Sequence, residues 1–348
     1  MKTYVEDITP QSGEITSFFV VDNITLRKTK KGGDYWTLTL KDKTGSIGAK
    51  IWGAAAFVDA IETVRSGQFV KVNAITGSYD GKTDLTVNKI RITAPKDFIV
   101  PASTDPEDLP PDAPSLDDFL PVGTKDRFRQ MDDLAAFVDC HVDHRSLHAL
   151  CHQVFATPAL HMAFRDAPAA TGNHHAFIGG LIEHSFSMSK VALSLCQHYE
   201  INPSLLITAC IFHDIGKCRE LEWNPVIQYT QEGQLVGHVV MGLELLDRLR
   251  VIFSEAVIKE GMLMEEYEAE FRVFDHLRHL VASHHGNLEW GAAKLPASRE
   301  AVLFHLIDMI DSRMGGFDLL EREQTNQGGF TNFQKIVGTA AWFPEKAQ

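Results

Sequence analysis

The chain has 348 residues, 44% of them hydrophobic, and a formal net charge of −13. That length admits two or three domains, and no apolar run approaches the roughly 20 residues that span a bilayer. The five cysteines (Cys140, Cys151, Cys196, Cys210, Cys218) form no CxxC and no framework spacing, and this odd count argues against a disulfide-built fold.

The start, Met1 to Asp7, lacks the apolar stretch of a signal peptide, so a cytoplasmic protein is expected. The acidic total argues against a nucleic-acid partner at first sight, but the charge is uneven. Residues 1–95 hold 13 Lys and Arg against 10 Asp and Glu, a balance of +3, which leaves −16 on the rest.

Residues 1–95 read as a small β domain. Five β-rich runs stand at Phe18–Val21, Tyr35–Leu40, Ser46–Trp52, Phe69–Ala74 and Leu85–Ile90. Gly-containing turn signals divide them, and a short helix is expected at Ala54–Val64. Five strands with a helix between the third and fourth follow the order of an OB-fold barrel. Arg27, Lys28, Lys30 and Lys31 are expected on one turn beside Tyr35 and Trp36, with Trp52 and Tyr79 as further exposed aromatics. Basic groups beside aromatic faces suit single-stranded nucleic acid, because phosphates pair with the first and bases stack on the second.

Residues 96–123 read as a linker. Seven of the 14 prolines lie between Pro95 and Pro121, among several aspartates, as in a semi-rigid tether. Residues 124–348 read as all-helical. Helices are expected at Lys125–Val142, Arg145–Phe155, Ile178–Tyr199, Pro203–Gly216, Leu235–Leu249, Phe274–His284 and Arg299–Met314. Past Gly315 comes a polar stretch and an aromatic tail with no functional reading.

The helical half carries the chemistry. His213-Asp214 ends an apolar helix, where a buried charge needs a partner. His184, His238, His284, His285 and Asp308 lie at or near other helices. Imidazoles and carboxylates drawn from several helices suit first-row divalent metals. A purely Mg²⁺ site would prefer carboxylate and water.

The set His184, His213-Asp214 and Asp308 resembles the H…HD…D signature of the HD-domain phosphohydrolases. With His238 and His284 it resembles the wider set of two-metal members. The strings Asn173-His174-His175-Ala176-Phe177-Ile178-Gly179-Gly180-Leu181-Ile182-Glu183-His184-Ser185 and Ser283-His284-His285-Gly286-Asn287-Leu288-Glu289-Trp290-Gly291, behind an OB-like domain, are similar to one branch, the YhaM-type 3′→5′ exoribonuclease family. This resemblance implies an OB-fold barrel followed by an HD helical bundle, acting on the 3′ ends of single-stranded RNA (or DNA) and releasing nucleoside 5′-monophosphates. It implies a first metal on His184, His213, Asp214 and Asp308, a second on His238 and His284, and Asp214 bridging them. Mn²⁺ is favoured, with Fe, Co²⁺, Ni²⁺, Zn²⁺ or Mg²⁺ as alternatives. His285 is expected beside the second metal or against the scissile phosphate, and Lys217 on a phosphate oxygen. Two other readings stay open: an HD hydrolase of a small nucleotide or cyclic dinucleotide, and a non-catalytic single-strand binder. No membrane partner is expected, and self-association is left open.

Overall fold

The computed structural model describes residues 2–29, 32–52, 61, 63–79, 82–93, 118–119, 123, 125–171, 175–223, 227–259, 264–323, 328–335 and 337–345. The expected helix at 54–64, the linker at 96–123, and Lys30 and Lys31 fall wholly or mostly outside these residues. The chain divides between Val122 and Gly123 into two units.

The first unit is a closed barrel in the order β1-β2-β3-β5-β4. Its strands are β1 (Glu14–Lys28), β2 (Asp34–Asp42), β3 (Gly45–Trp52), β4 (Phe69–Tyr79) and β5 (Lys82–Ile92). All neighbours are antiparallel except β3 and β5, which pair in parallel at Gly48–Lys50. Alternation of side chains along each strand fills the barrel. Phe19, Val21, Leu38, Leu40, Val70, Val72 and Leu85 are buried in one cluster, and closure leaves no free sheet edge. Strand β1 runs further than the sequence suggests. Arg27 and Lys28 are its last residues, paired with Tyr35 and Asp34, so they lie on the strand and not on the hairpin turn.

The second unit is helical. Helices α1 (Arg127–His141), α2 (Arg145–Ala156) and α3 (Pro158–Asp166) lead to α4 (Gly180–Tyr199) and α5 (Pro203–Phe212). Asp126 caps α1 by accepting from the Phe128 and Arg129 amides, a contact of about 1 kcal/mol. Asn202 caps α5, and Pro203 takes the first helical position, where no amide is needed. From Leu206 to Phe212 every residue of α5 is buried. A helix apolar on all sides belongs in a core, and α5 is the rod around which the others pack.

Helix α5 stops at Phe212, and after a tight turn the short α6 (Lys217–Glu220) follows. A two-residue ribbon of β6 (Leu221–Glu222) and β7 (Gln228–Tyr229) comes next. Then come α7 (Gln231–Val236), α8 (His238–Lys259), α9 (Met264–Ser283) and α10 (Arg299–Glu323). The turn and α8 meet at Gly216, where a Cβ would lie 2.0 Å from the His238 carbonyl oxygen. Helix α10 continues through Gly315-Gly316, beyond the end expected from sequence. The aromatic tail forms a hairpin of β8 (Gly329–Gln334) and β9 (Thr339–Phe343). Val337, Ala341 and Phe343 pack with Leu320 of α10. Among the described residues no helix is long and apolar enough to cross a membrane.

Candidate active site

The ends of α5 and α9, the interior of α10, the start of α8 and the first half of α4 bring six imidazole and carboxylate donors together around Asp214. Four histidines are oriented in the same way. His213 Nδ1 donates to the Cys210 carbonyl at 3.1 Å and His284 Nδ1 donates to the Val281 carbonyl at 2.7 Å. His184 Nδ1 lies 2.7 Å from Asp311 Oδ2, and His238 Nδ1 lies 3.0 Å from Glu220 Oε1. Each Nδ1 is therefore tied back into the fold. That leaves Nε2 to face the site, as in histidines that bind metals.

Two groups of donors result. His184 Nε2 is 3.3 Å from His213 Nε2 and 3.4 Å from Asp308 Oδ1. His238 Nε2 is 3.3 Å from His285 Nε2, and His284 belongs to the same trio. Asp214 stands between them. Its Oδ1 faces His238 at 3.3 Å and His284 at 3.7 Å, and its Oδ2 faces His213 at 3.3 Å. Lys217 Nζ donates to the same Oδ2 at 2.6 Å.

The electrostatics follow from burial among these groups. Burial opposes ionisation of Asp214, but Lys217 and His213 hold its carboxyl well below the usual range. Burial alone would strip His184 of its proton. Hydrogen bonds to Asp308 and Asp311 outweigh it and push the pKa up to about 10. Burial pushes His284 well down, helped by His213 and His285. It also lowers His285, helped by His238. Their ring nitrogens thus keep lone pairs free.

Two buried polar atoms aimed into this space, Asp214 Oδ1 and His284 Nε2, have no hydrogen-bond partner. Such atoms are costly to bury, and a divalent ion satisfies both. Nitrogen and oxygen donors about 3.3 Å apart also match the edge between ligands with bonds near 2.0–2.2 Å. The residues fit a metal.

A cleft of about 290 Å³ adjoins the site, lined by His285, Trp290 and, from α10, His305, Asp308, Met309, Ser312 and Arg313. His305 donates to the His284 carbonyl at 2.7 Å, which fixes the cleft wall to the metal-facing loop.

On the barrel, pairing aligns Arg27 with Tyr35 and Tyr35 with Trp52, one row across three strands. The Tyr35 and Trp52 rings stack at 4.8 Å, with Trp52 more than half exposed. Lys50 Nζ sits 3.7 Å over the exposed Tyr79 ring. Trp36 is different: it points to the other face and packs against the barrel core with Ile24. Lys28, next to Arg27 on the strand, alternates away from the row as well.

Residues 181–313 match the HD domain family, and residues 13–93 match an OB-fold nucleic acid binding domain. Over 327 residues the chain is 32% identical to the 3′-5′ exoribonuclease YhaM of Oceanobacillus iheyensis, spanning 91% of this chain and 90% of that one. The chain belongs to the YhaM exoribonuclease family. The YhaM protein of Halalkalibacterium halodurans is 33% identical over 321 residues, with 91% and 89% of the two chains spanned. That of Bacillus subtilis is 30% identical over 311 residues, with 89% and 88% spanned.

In this YhaM-family chain the structure gathers all six residues expected as ligands, and His285, expected beside them, stands in a trio with His238 and His284. It also brings in residues that the sequence analysis does not name. Asp311 and Glu220 are the carboxylates behind His184 and His238. Asp311 has a faint sequence signal, three residues after Asp308 on one helix face. Glu220 has none. His175 also reaches Asp311, at 3.2 Å, while His174 falls outside the described residues.

Proposed function

We propose that the protein is a metal-dependent 3′→5′ exoribonuclease that removes nucleoside 5′-monophosphates from single-stranded RNA. The observation that carries this is the position of Asp214, one oxygen toward each donor group. His184, His213 and Asp308 would hold one divalent ion, and His238, His284 and His285 the other, with Asp214 shared. Imidazole-rich donors favour Mn²⁺ and its first-row neighbours over Mg²⁺. When bound, such a pair supplies Lewis acidity that activates water and offsets phosphate charge.

The chain's own residues do the rest. Asp311 and Glu220 fix the rings of His184 and His238. Lys217, most of it shielded from solvent, exchanges its contact with Asp214 for a phosphate oxygen when the substrate arrives. The cleft beside His285 and Asp308 seats the terminal nucleotide, with Trp290 as a stacking surface and Arg313 for a phosphate or sugar oxygen. The barrel row of Arg27, Tyr35 and Trp52, with Lys50 and Tyr79, holds the strand through stacking and charge. In this reading residues 1–95 bind, 96–123 link and 124–348 hydrolyse.

The test uses 5′-labelled single-stranded RNA and protein stripped of metal, then supplied with Mn²⁺. A ladder shortening from the 3′ end is expected, absent in EDTA and in Asp214→Ala. Undiminished degradation by Asp214→Ala would refute the assignment.

A further inference from the structure

Helices α1 and α2 bring together another set of metal-type donors, Asp139, His148 and His152. His148 and His152 are four residues apart on α2, so helical periodicity sets both imidazoles on one face. Their ring centroids are 4.5 Å apart. Asp139 comes from the last turn of α1. Both imidazoles aim Nε2 at the same oxygen, Asp139 Oδ1, at 2.9 and 2.8 Å. One donor atom from each of the three side chains lies within 4.8 Å of the others.

The convergence on one oxygen is informative. Two imidazoles that served only as hydrogen-bond donors could divide between the two carboxylate oxygens. Three donors gathered around one point are instead what an ion needs. Metal bonds of about 2.0–2.2 Å require donors roughly 3–3.5 Å apart, so the side chains need to move only slightly. All three are partly exposed, His148 by 35%, His152 by 40% and Asp139 by 54%. An ion can therefore enter from solution, and water can complete its coordination.

We propose that Asp139, His148 and His152 form a surface site for a divalent first-row transition ion, which clasps α1 to α2. Two imidazoles and one carboxylate suit Zn²⁺, Ni²⁺ or Cu²⁺ and suit Mg²⁺ poorly. The site shares no donor with the cluster around Asp214. The partly exposed hydrogen bonds alone contribute little. The unfolded chain does not hold the three donors together, so the ion binds the folded state and stabilises it.

The experiment takes the full chain, strips it with EDTA and dialyses it against Zn²⁺. Wild type is compared with the double variant His148→Ala/His152→Ala by counting bound zinc and by the thermal midpoint with and without zinc. The variant should bind one zinc fewer per chain and lose part of the zinc-dependent rise in midpoint, while Mn²⁺-dependent RNA degradation is unchanged. Asp139→Asn keeps an acceptor oxygen for a histidine N–H but removes the charge. It should weaken zinc binding at this site by about tenfold or more and leave the metal-free midpoint near that of wild type. Equal zinc counts in wild type and the double variant, or an Asp139→Asn protein with undiminished zinc affinity, would reduce the trio to a hydrogen-bonded clasp and overturn the proposal.

Discussion

Asp311 Oδ2 lies 2.7 Å from His184 Nδ1, on the edge of the ring opposite the one that meets His213 and Asp308. The carboxylate holds the ring in place and raises its basicity as a donor. Asp311→Asn should lower metal affinity by about 10–100-fold. Activity would return at excess Mn²⁺, and a titration of activity against metal checks this. An unaltered metal requirement would show that Asp311 has no part in orienting His184.

Lys217 touches Asp214 at 2.6 Å, and the charges support one another in a buried setting. Lys217→Met should slow turnover by about 10²–10³-fold, the size expected for loss of a charge-stabilising donor. The number of bound ions should stay the same, because Lys217 is not a ligand. Loss of metal together with turnover would assign Lys217 to building the site.

The stacked pair on the barrel makes a separate prediction. Tyr35→Ala and Trp52→Ala should each raise KM for a long RNA by about 5–100-fold, from roughly 1–3 kcal/mol per lost stack. Turnover of a dinucleotide should not change, since so short a substrate gains nothing from the barrel. Equal losses on both substrates would count against the binding row.

In metal-free protein His184 carries a pKa raised from 6.5 to about 10. The folded state therefore keeps a proton that the unfolded chain releases. This stabilisation is complete below pH 6.5 and is lost as pH rises toward about 10. Asp308 and Asp311 are held below their ordinary value of 3.8, so their contribution is present above that pH and disappears in acid. Urea midpoints of the EDTA-treated protein should fall between about pH 7 and pH 10, and His184→Gln should flatten that limb. A wild-type protein equally stable across the range would contradict the sign.

Gly286 follows the His284-His285 pair with φ +78°, and a Cβ there would stand 2.2 Å from the His305 ring. That ring cannot swing aside without giving up its bond to the His284 carbonyl. Gly286→Ala should cost about 1–2 kcal/mol for the backbone conformation alone, and more for the displaced ring. Chemical denaturation and a metal titration would both report it. A fully stable, fully loaded variant would rule out this crowding.

Much of this was legible in the sequence. The barrel strands alternate and are divided by turn signals, and His213-Asp214 at the end of an apolar helix marks the site directly. What stayed hidden depends on three-dimensional neighbours. Trp36 and Tyr35 are adjacent in sequence, yet pleating packs one against the core and sets the other in the row with Arg27 and Trp52. Helix α3 is short, and its first turn is signalled only by Pro158, so it is absent from the expected helices. Helix α10 runs through Gly315-Gly316 because the hairpin of β8 and β9 packs on its last turns, a tertiary effect that outweighs glycine's low helix propensity. Glu220 reaches His238 across 18 residues, a spacing that no local pattern encodes.

The contact at Gly216 bears on the whole cluster around Asp214. Behind His213-Asp214 the main chain rests on the main chain at the start of α8, with no side chain between them. The approach of the Asp214 turn to the first turn of α8, which carries His238, is thus gauged by backbone, as in a machined jaw. A side chain at position 216 would push α8 away and carry His238 off Asp214, so this glycine holds the two halves of the cluster in reach of each other.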